Sequence, residues 1–177
     1  MDKYILKKRK VISKDQCEIL SNNRNFSLDS KHNYYVYRAN LTQYPFLGPI
    51  LLSALKEYGD KHKFLNPKYN KNSYYTSWGI DGFFNIQKYL PGQFYAQGEH
   101  CERGTSNYDY RRILAWMIYL NDIKYKGGTC FPQQNFTTKP RVGDLYIWPA
   151  GWTHSHYGIA APKEIKYMIT GWCSSSI

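Results

Sequence analysis

No stretch of this sequence is long and apolar enough to cross a bilayer. The longest apolar runs, FLGPILLSAL at 46–55 and ILAWMIYL at 113–120, fall short of the roughly 20 residues a spanning helix needs. The opening MDKYILKKRKVIS is basic but has no apolar core and no small-residue cleavage site, so it does not read as a secretory signal. The four cysteines, Cys17, Cys101, Cys130 and Cys173, form no C-x-x-C pair and keep no regular spacing. That excludes a zinc ribbon and a disulfide framework, and fits a reducing compartment: a cytoplasm, the protein's own or a host cell's. Internal repeats are lacking, and the Ala/Glu/Leu signature of helical proteins is weak.

Acidic residues are also scarce, 13 against 24 Lys and Arg, which leaves a net charge of +11. Five of the cations fall between residues 3 and 10. Such a charge draws polyanions and acidic polypeptides, although abundant Lys, Asn, Tyr and Ile also follow from an A+T-biased coding sequence. At 177 residues, with 42% apolar and 21% charged side chains, the expectation is a single folded domain spanning 1–177. Aromatics reach 18%, 18 of them Tyr, and lean toward β structure.

Two helices are expected early. Ser13 precedes Lys14-Asp15-Gln16, with apolar Cys17, Ile19 and Leu20 beyond, which is a capping-box signature for a helix within 13–25. Leu47, Ile50, Leu51, Ala54, Leu55 and Tyr58 fall at helical spacing in 45–58. Tyr34–Tyr37 reads as a strand, and 61–73 as a polar exposed connection. From about residue 74 the period changes to two, and 83–90, 94–102, 112–120, 144–150 and 165–173 read as strands. Turn residues separate them: Pro91-Gly92, 104–107, Gly127-Gly128, and Pro140 with Gly143. ILAWMIYL is apolar on both faces, so it should lie inside a sheet covered on each side. Helices followed by a run of strands predict an α+β, mainly β fold, a sandwich or jelly roll buttressed by N-terminal helices. The division expected is a basic segment at 1–10, supporting helices at 11–73 and a β core at 74–177.

Only five histidines occur, and three lie in the strand-rich half. His100 and Glu102 form H-C-E at the end of a predicted strand, where positions i and i+2 project from one face and Cys101 from the other. His154 and His156 follow DLYIWPA, and either one could complete a set of two imidazoles and one carboxylate. That donor set, with coordination positions left open, suits non-haem Fe(II) oxygenases. By spacing alone, H-x-E with a distant His is a weak signal that also arises by chance on surfaces.

The run NIQKYLPGQFYAQGEHCE, RRILAWMIYLND, GGTCF, KPRVGDLYIWPAGWTHSHYG and IKYMITGW resembles the prolyl 4-hydroxylase-like branch of the Fe(II)/2-oxoglutarate-dependent oxygenases. That family shows Y-x-P-G, H-x-D, R-x-L-T-x-x-x-Y-L-N, G-G-x-T-x-F, P-x-x-G, then His and a basic residue about ten positions on. The resemblance covers roughly 83–172 and implies a double-stranded β-helix with supporting helices. It implies that His100, Glu102 and His156 are catalytic metal ligands for Fe(II), His156 being preferred to His154 because it stands ten residues before Lys166. Ligand and cation would then sit on adjacent strands. It further implies that Tyr119, Lys166 and Tyr89 bind the cosubstrate 2-oxoglutarate, with O2 as the oxidant and ascorbate as an optional reductant. Period-two alternation puts Lys166, Met168, Thr170 and Trp172 on one face. Glu102 departs from the family's Asp; a carboxylate at that position excludes the halogenase variant.

The activity so implied is hydroxylation of a peptidyl residue, with proline favoured, in a peptide or protein partner, and release of succinate and CO2. The same chemistry on a small molecule or a nucleobase is the alternative within the class. A non-catalytic basic β-domain that binds nucleic acid and a cupin-like metal module using both His154 and His156 are alternatives outside it. Cys101 is expected in the core, Arg112 in a structural ion pair, and Trp148 and Trp152 in packing. Loops near 61–82 and 103–111 would grip the substrate.

Overall fold

A computed structural model describes residues 2–22, 25–63, 78–106 and 109–175. The first helix, α1 (Lys14–Ser21), begins where the capping box places it. The Ser13 hydroxyl accepts from the Gln16 amide at 3.1 Å, and the Gln16 side chain accepts from the Ser13 amide at 2.9 Å. The second, α2 (Leu47–Lys61), buries Leu47, Leu51, Ala54, Leu55 and Tyr58 along one stripe.

Seven strands form the larger sheet: β1 (Leu6–Lys8), β2 (Ser27–Asp29), β3 (Tyr34–Asn40), β4 (Trp78–Tyr89), β5 (Arg112–Tyr119), β8 (Leu145–Pro149) and β10 (Lys166–Ser175). Their order is β1-β8-β5-β10-β4-β3-β2, and every pairing is antiparallel. A smaller sheet holds β6 (Thr129–Phe131) between β7 (Phe136–Thr137) and β9 (Tyr157–Gly158). Two antiparallel sheets joined by long crossovers make the jelly roll of a double-stranded β-helix.

The alternation in β5 shows how the sequence builds two cores. Leu114, Trp116 and Ile118 pack with Leu51, Leu55 and Leu20 of the helices. Ala115, Met117 and Tyr119 turn the other way, toward Tyr89, Phe131 and Trp148. An interior strand covered on both faces has no polar side, which is why ILAWMIYL is apolar throughout. Gly171, opposite Trp116 in the β10–β5 register, is fixed by space: a Cβ there would stand 2.3 Å from the Trp116 ring.

Several expectations are corrected. Residues 94–102 are not a strand; only His100 makes an isolated bridge there, and Gly92 and Gly98 take left-handed φ values of 81° and 72° that break the pleat. Cys101 therefore does not enter the core but lies half-buried on a cavity wall. The support region expected at 11–73 is not purely helical, since β2 and β3 extend the larger sheet. The basic N-terminal segment contributes an edge strand, with Lys7 paired to Asp144 at 3.0 Å and Lys8 to Glu57 at 2.6 Å. Most of the connection expected at 61–73 lies outside the described residues. Among the described residues, no helix is long and apolar enough to cross a membrane.

Candidate active site

Between the two sheets lies a cavity of about 430 Å³. β10 lines it with Lys166, Met168, Thr170 and Trp172, the alternate residues expected to share a face. Asn85, Gln87 and Tyr89 of β4 continue the same wall. His100, Glu102 and His156 stand together in it, with ligand-capable atoms all within 4.8 Å of one another.

The loop, not a strand, aims His100 and Glu102. The His100 amide donates to the His156 carbonyl at 3.0 Å, and the His156 amide donates back at 2.8 Å. Each ring is then oriented from behind. Nδ1 of His100 lies 2.8 Å from the Gly98 carbonyl, and Nδ1 of His156 lies 3.0 Å from the His154 carbonyl. A carbonyl can only accept, so both Nδ1 atoms carry a proton, and each Nε2 is the atom left to meet Glu102 or a cation. Those Nε2 atoms face Glu102 Oε1, at 3.8 Å from His100 and 3.3 Å from His156. Burial would raise the Glu102 carboxyl, but the hydrogen bond and charge of His156, backed by His100 and Trp172, hold it down at about 2. Burial, and then the neighbouring His156, lower the His100 pKa. With their Nε2 atoms free of protons, the two imidazoles and the carboxylate make a donor set that fits a divalent first-row cation.

His154 goes elsewhere. Residues Trp152–His154 form a 3₁₀ turn, so His154 and His156 do not share a face as they would on an extended segment. Nε2 of His154 approaches Asp2 Oδ1 at 3.5 Å, and Nδ1 contacts the Thr153 hydroxyl at 3.0 Å. The cupin-like arrangement, which needs both imidazoles on one metal, is contradicted by this geometry.

Lys166 is 2% exposed, and its ammonium lies 4.5 Å from the Tyr89 ring centroid. Burial alone pushes its pKa down to about 8, with no acidic group among the described residues to offset it. A buried cation without an anion is costly, and a carboxylate entering the cavity would relieve that cost. Gly158, two residues beyond His156, brings the smaller sheet close: a Cβ there would lie 3.9 Å from Lys166 Nζ. The distal histidine and the lysine thus face each other across the sandwich, on β9 and β10 of different sheets, rather than on the adjacent strands expected. Tyr89 lines the cavity as expected. Tyr119 stands one layer back, its hydroxyl 2.6 Å from Thr138 and 3.2 Å from Thr129. Thr129 lines the cavity and was missed; its signal was its place directly after Gly127-Gly128, alternating with buried Phe131.

A family model described as the 2OG-Fe(II) oxygenase superfamily matches residues 84–174, half of the chain, with His100, Glu102, His156 and Lys166 inside the match. The chain belongs to that superfamily. As a 2OG-Fe(II) oxygenase it uses Fe(II), 2-oxoglutarate and O2, and the partly buried His-Glu-His cluster and the buried Lys166 fit those requirements. No curated protein sequence matches it significantly. Among solved structures it is similar to the viral collagen prolyl hydroxylase of Paramecium bursaria Chlorella virus-1 in its 2OG complex. The TM-score is 0.74 at 17% identity, over 97% of this chain and 96% of that one. A prolyl-4-hydroxylase of Pseudomonas putida follows with TM-score 0.69 and 14% identity, over 98% and 94% of the two chains. A Trichoplax adhaerens prolyl hydroxylase in complex with a hypoxia inducible factor peptide fragment gives 0.66 and 14%, over 98% and 84%. Likeness at these identities establishes the shared fold.

Proposed function

We propose that this oxygenase hydroxylates a peptidyl residue, proline by preference, with His100, Glu102 and His156 holding the Fe(II). Lys166 binds the far carboxylate of 2-oxoglutarate, with Tyr89 packing beside it and Tyr119 supporting that end through Thr129. The balance is one substrate C–H, O2 and 2-oxoglutarate giving one C–OH, succinate and CO2. Bound Fe(II) supplies the redox chemistry that couples the two oxidations.

The protein's own residues bind, orient and exclude water. Lys166 sits in a dry pocket where a charge-assisted pair is strong, so the diacid is drawn in with its 2-oxo end toward the triad. Met117, Tyr89 and Met168 form the low-dielectric lining around it.

The observation that carries the peptidyl reading is the aromatic wall of the cavity. Tyr34 stacks on Tyr89 with centroids 5.1 Å apart, and Tyr95 lies 5.7 Å from Tyr34, 4.8 Å from His32 and 4.8 Å from His100. Flat rings along the cavity wall suit a pyrrolidine ring presented by an extended chain that has no backbone hydrogen bonds to break. The likeness to prolyl hydroxylases, one of them with a peptide bound, supports the same choice. The net charge of +11 favours acidic targets by steering. The test is succinate release with and without proline-containing peptides, followed by mass spectrometry. Oxygen added to proline in a peptide supports the reading; oxygen added only to a free small molecule or a nucleobase overturns it and leaves the enzyme class intact.

A further inference from the structure

Glu102 is longer than the aspartate of the family motif, and the structure shows what occupies the extra reach. Its two oxygens have different partners. Oε1 faces the imidazoles, 3.3 Å from His156 and 3.8 Å from His100. Oε2 accepts a hydrogen bond from Trp172 Nε1 at 2.7 Å and lies 3.8 Å from Arg112 Nη1. Trp172 is itself clamped: the Arg112 guanidinium lies 3.9 Å from its ring centroid. The same guanidinium donates to the Glu102 carbonyl at 3.0 Å and pairs with Asp109 at 2.9 Å. The β10–β4 register shifts between Gly171 and Cys173, on either side of Trp172, the kind of irregularity that re-aims a side chain.

We propose that Trp172 is a positioning residue that commits Glu102 to a single metal-facing oxygen, a role that rests on the His-Glu-His assignment above. A carboxylate with both oxygens free can take a cation through either or both. Two-oxygen binding would use a position that the chelating cosubstrate or O2 requires. An indole N–H is a donor only, so it holds Oε2 without competing for the metal. The device is specific to glutamate. An aspartate carboxylate is drawn back by about 1.5 Å, and could not face both imidazoles while keeping a hydrogen bond to the indole.

The test is a cycle of four proteins: unaltered, Trp172→Phe, Glu102→Asp and the double variant. Each is loaded anaerobically with Fe(II), titrated with 2-oxoglutarate, and read by Fe(II) affinity and by the visible charge-transfer absorption of the complex. Trp172→Phe is expected to weaken Fe(II) binding roughly 10- to 100-fold and to shift that absorption. In the Glu102→Asp background the same substitution should change affinity by no more than about twofold. Trp172→His, which keeps a ring N–H, should recover part of the loss. Equal losses in the Glu and Asp backgrounds, no loss in either, or identical behaviour of the Phe and His variants overturns the proposal while the metal site stands. Failure of the unaltered protein to bind Fe(II) overturns the metal assignment as well.

Discussion

His100 and His156 exchange both backbone hydrogen bonds, at 3.0 and 2.8 Å, in an isolated antiparallel bridge. Residues so paired project their side chains from one face, which brings the two ring centroids to 4.7 Å. One loop and the entry to β9 are thereby fastened at the point where two imidazoles must converge with Glu102.

His156→Ala is therefore expected to abolish Fe(II) binding, and His154→Ala to retain it. Isothermal titration with Fe(II) under anaerobic conditions separates the two. Loss of metal in the His154 variant with retention in the His156 variant would show that the ligand set is misassigned.

Replacing Lys166 with Met should leave Fe(II) affinity unchanged and raise the apparent KM for 2-oxoglutarate by orders of magnitude. Removing one partner of a buried charge pair costs several kcal/mol. The unliganded fold should gain from the same change. A pKa lowered from 10.5 to about 8 corresponds to about 3 kcal/mol against the charged form, and an apolar side chain of similar length avoids it. Thermal denaturation should show a Tm higher by several degrees.

The same lysine sets two opposite pH dependences. Between about pH 8 and 10.5 the unfolded chain holds the proton that the folded chain has lost, so unfolding takes up protons. Stability of the unliganded protein accordingly rises as pH climbs through that window and is lowest below it. Affinity for 2-oxoglutarate should be flat below about pH 8 and fall above it, as the cation disappears. Denaturant midpoints and ligand titrations across pH 7–11 check both, and each trend should vanish in the Lys166→Met protein.

Gly171→Ala should destabilise by about 1–3 kcal/mol, because its methyl would meet the Trp116 ring at 2.3 Å. Gly82→Ala, with nothing within 4 Å of the new methyl, should stay within about 0.5 kcal/mol. A Gly171 variant as stable as the Gly82 one would mean that Trp116 can move aside.

Much of this was legible in one dimension because the physics involved is local. The Ser13 capping box needs only four consecutive residues, and α1 begins where they put it. Period-two alternation needs only the pleat, and it placed Lys166, Met168, Thr170 and Trp172 on one cavity wall. It also showed β5 to be buried on both faces. The same rule failed at 94–102, where the alternation continues but Gly92 and Gly98 turn the chain out of the sheet. Cys101 was misplaced with it.

The sequence by itself determined the strand alternation, the helix starts and the set of chemically capable residues, since each depends on neighbours in the chain. Tertiary structure decided which of them meet. His156 rather than His154 joins the site because a 3₁₀ turn rotates one away and a backbone bridge to His100 holds the other. Lys166 faces the His-Glu-His cluster from the opposite sheet, and Trp172 reaches Glu102 across 70 residues of chain. Such pairings are set by how two sheets stack and by which loop closes over them, and that depends on burial summed over the whole chain.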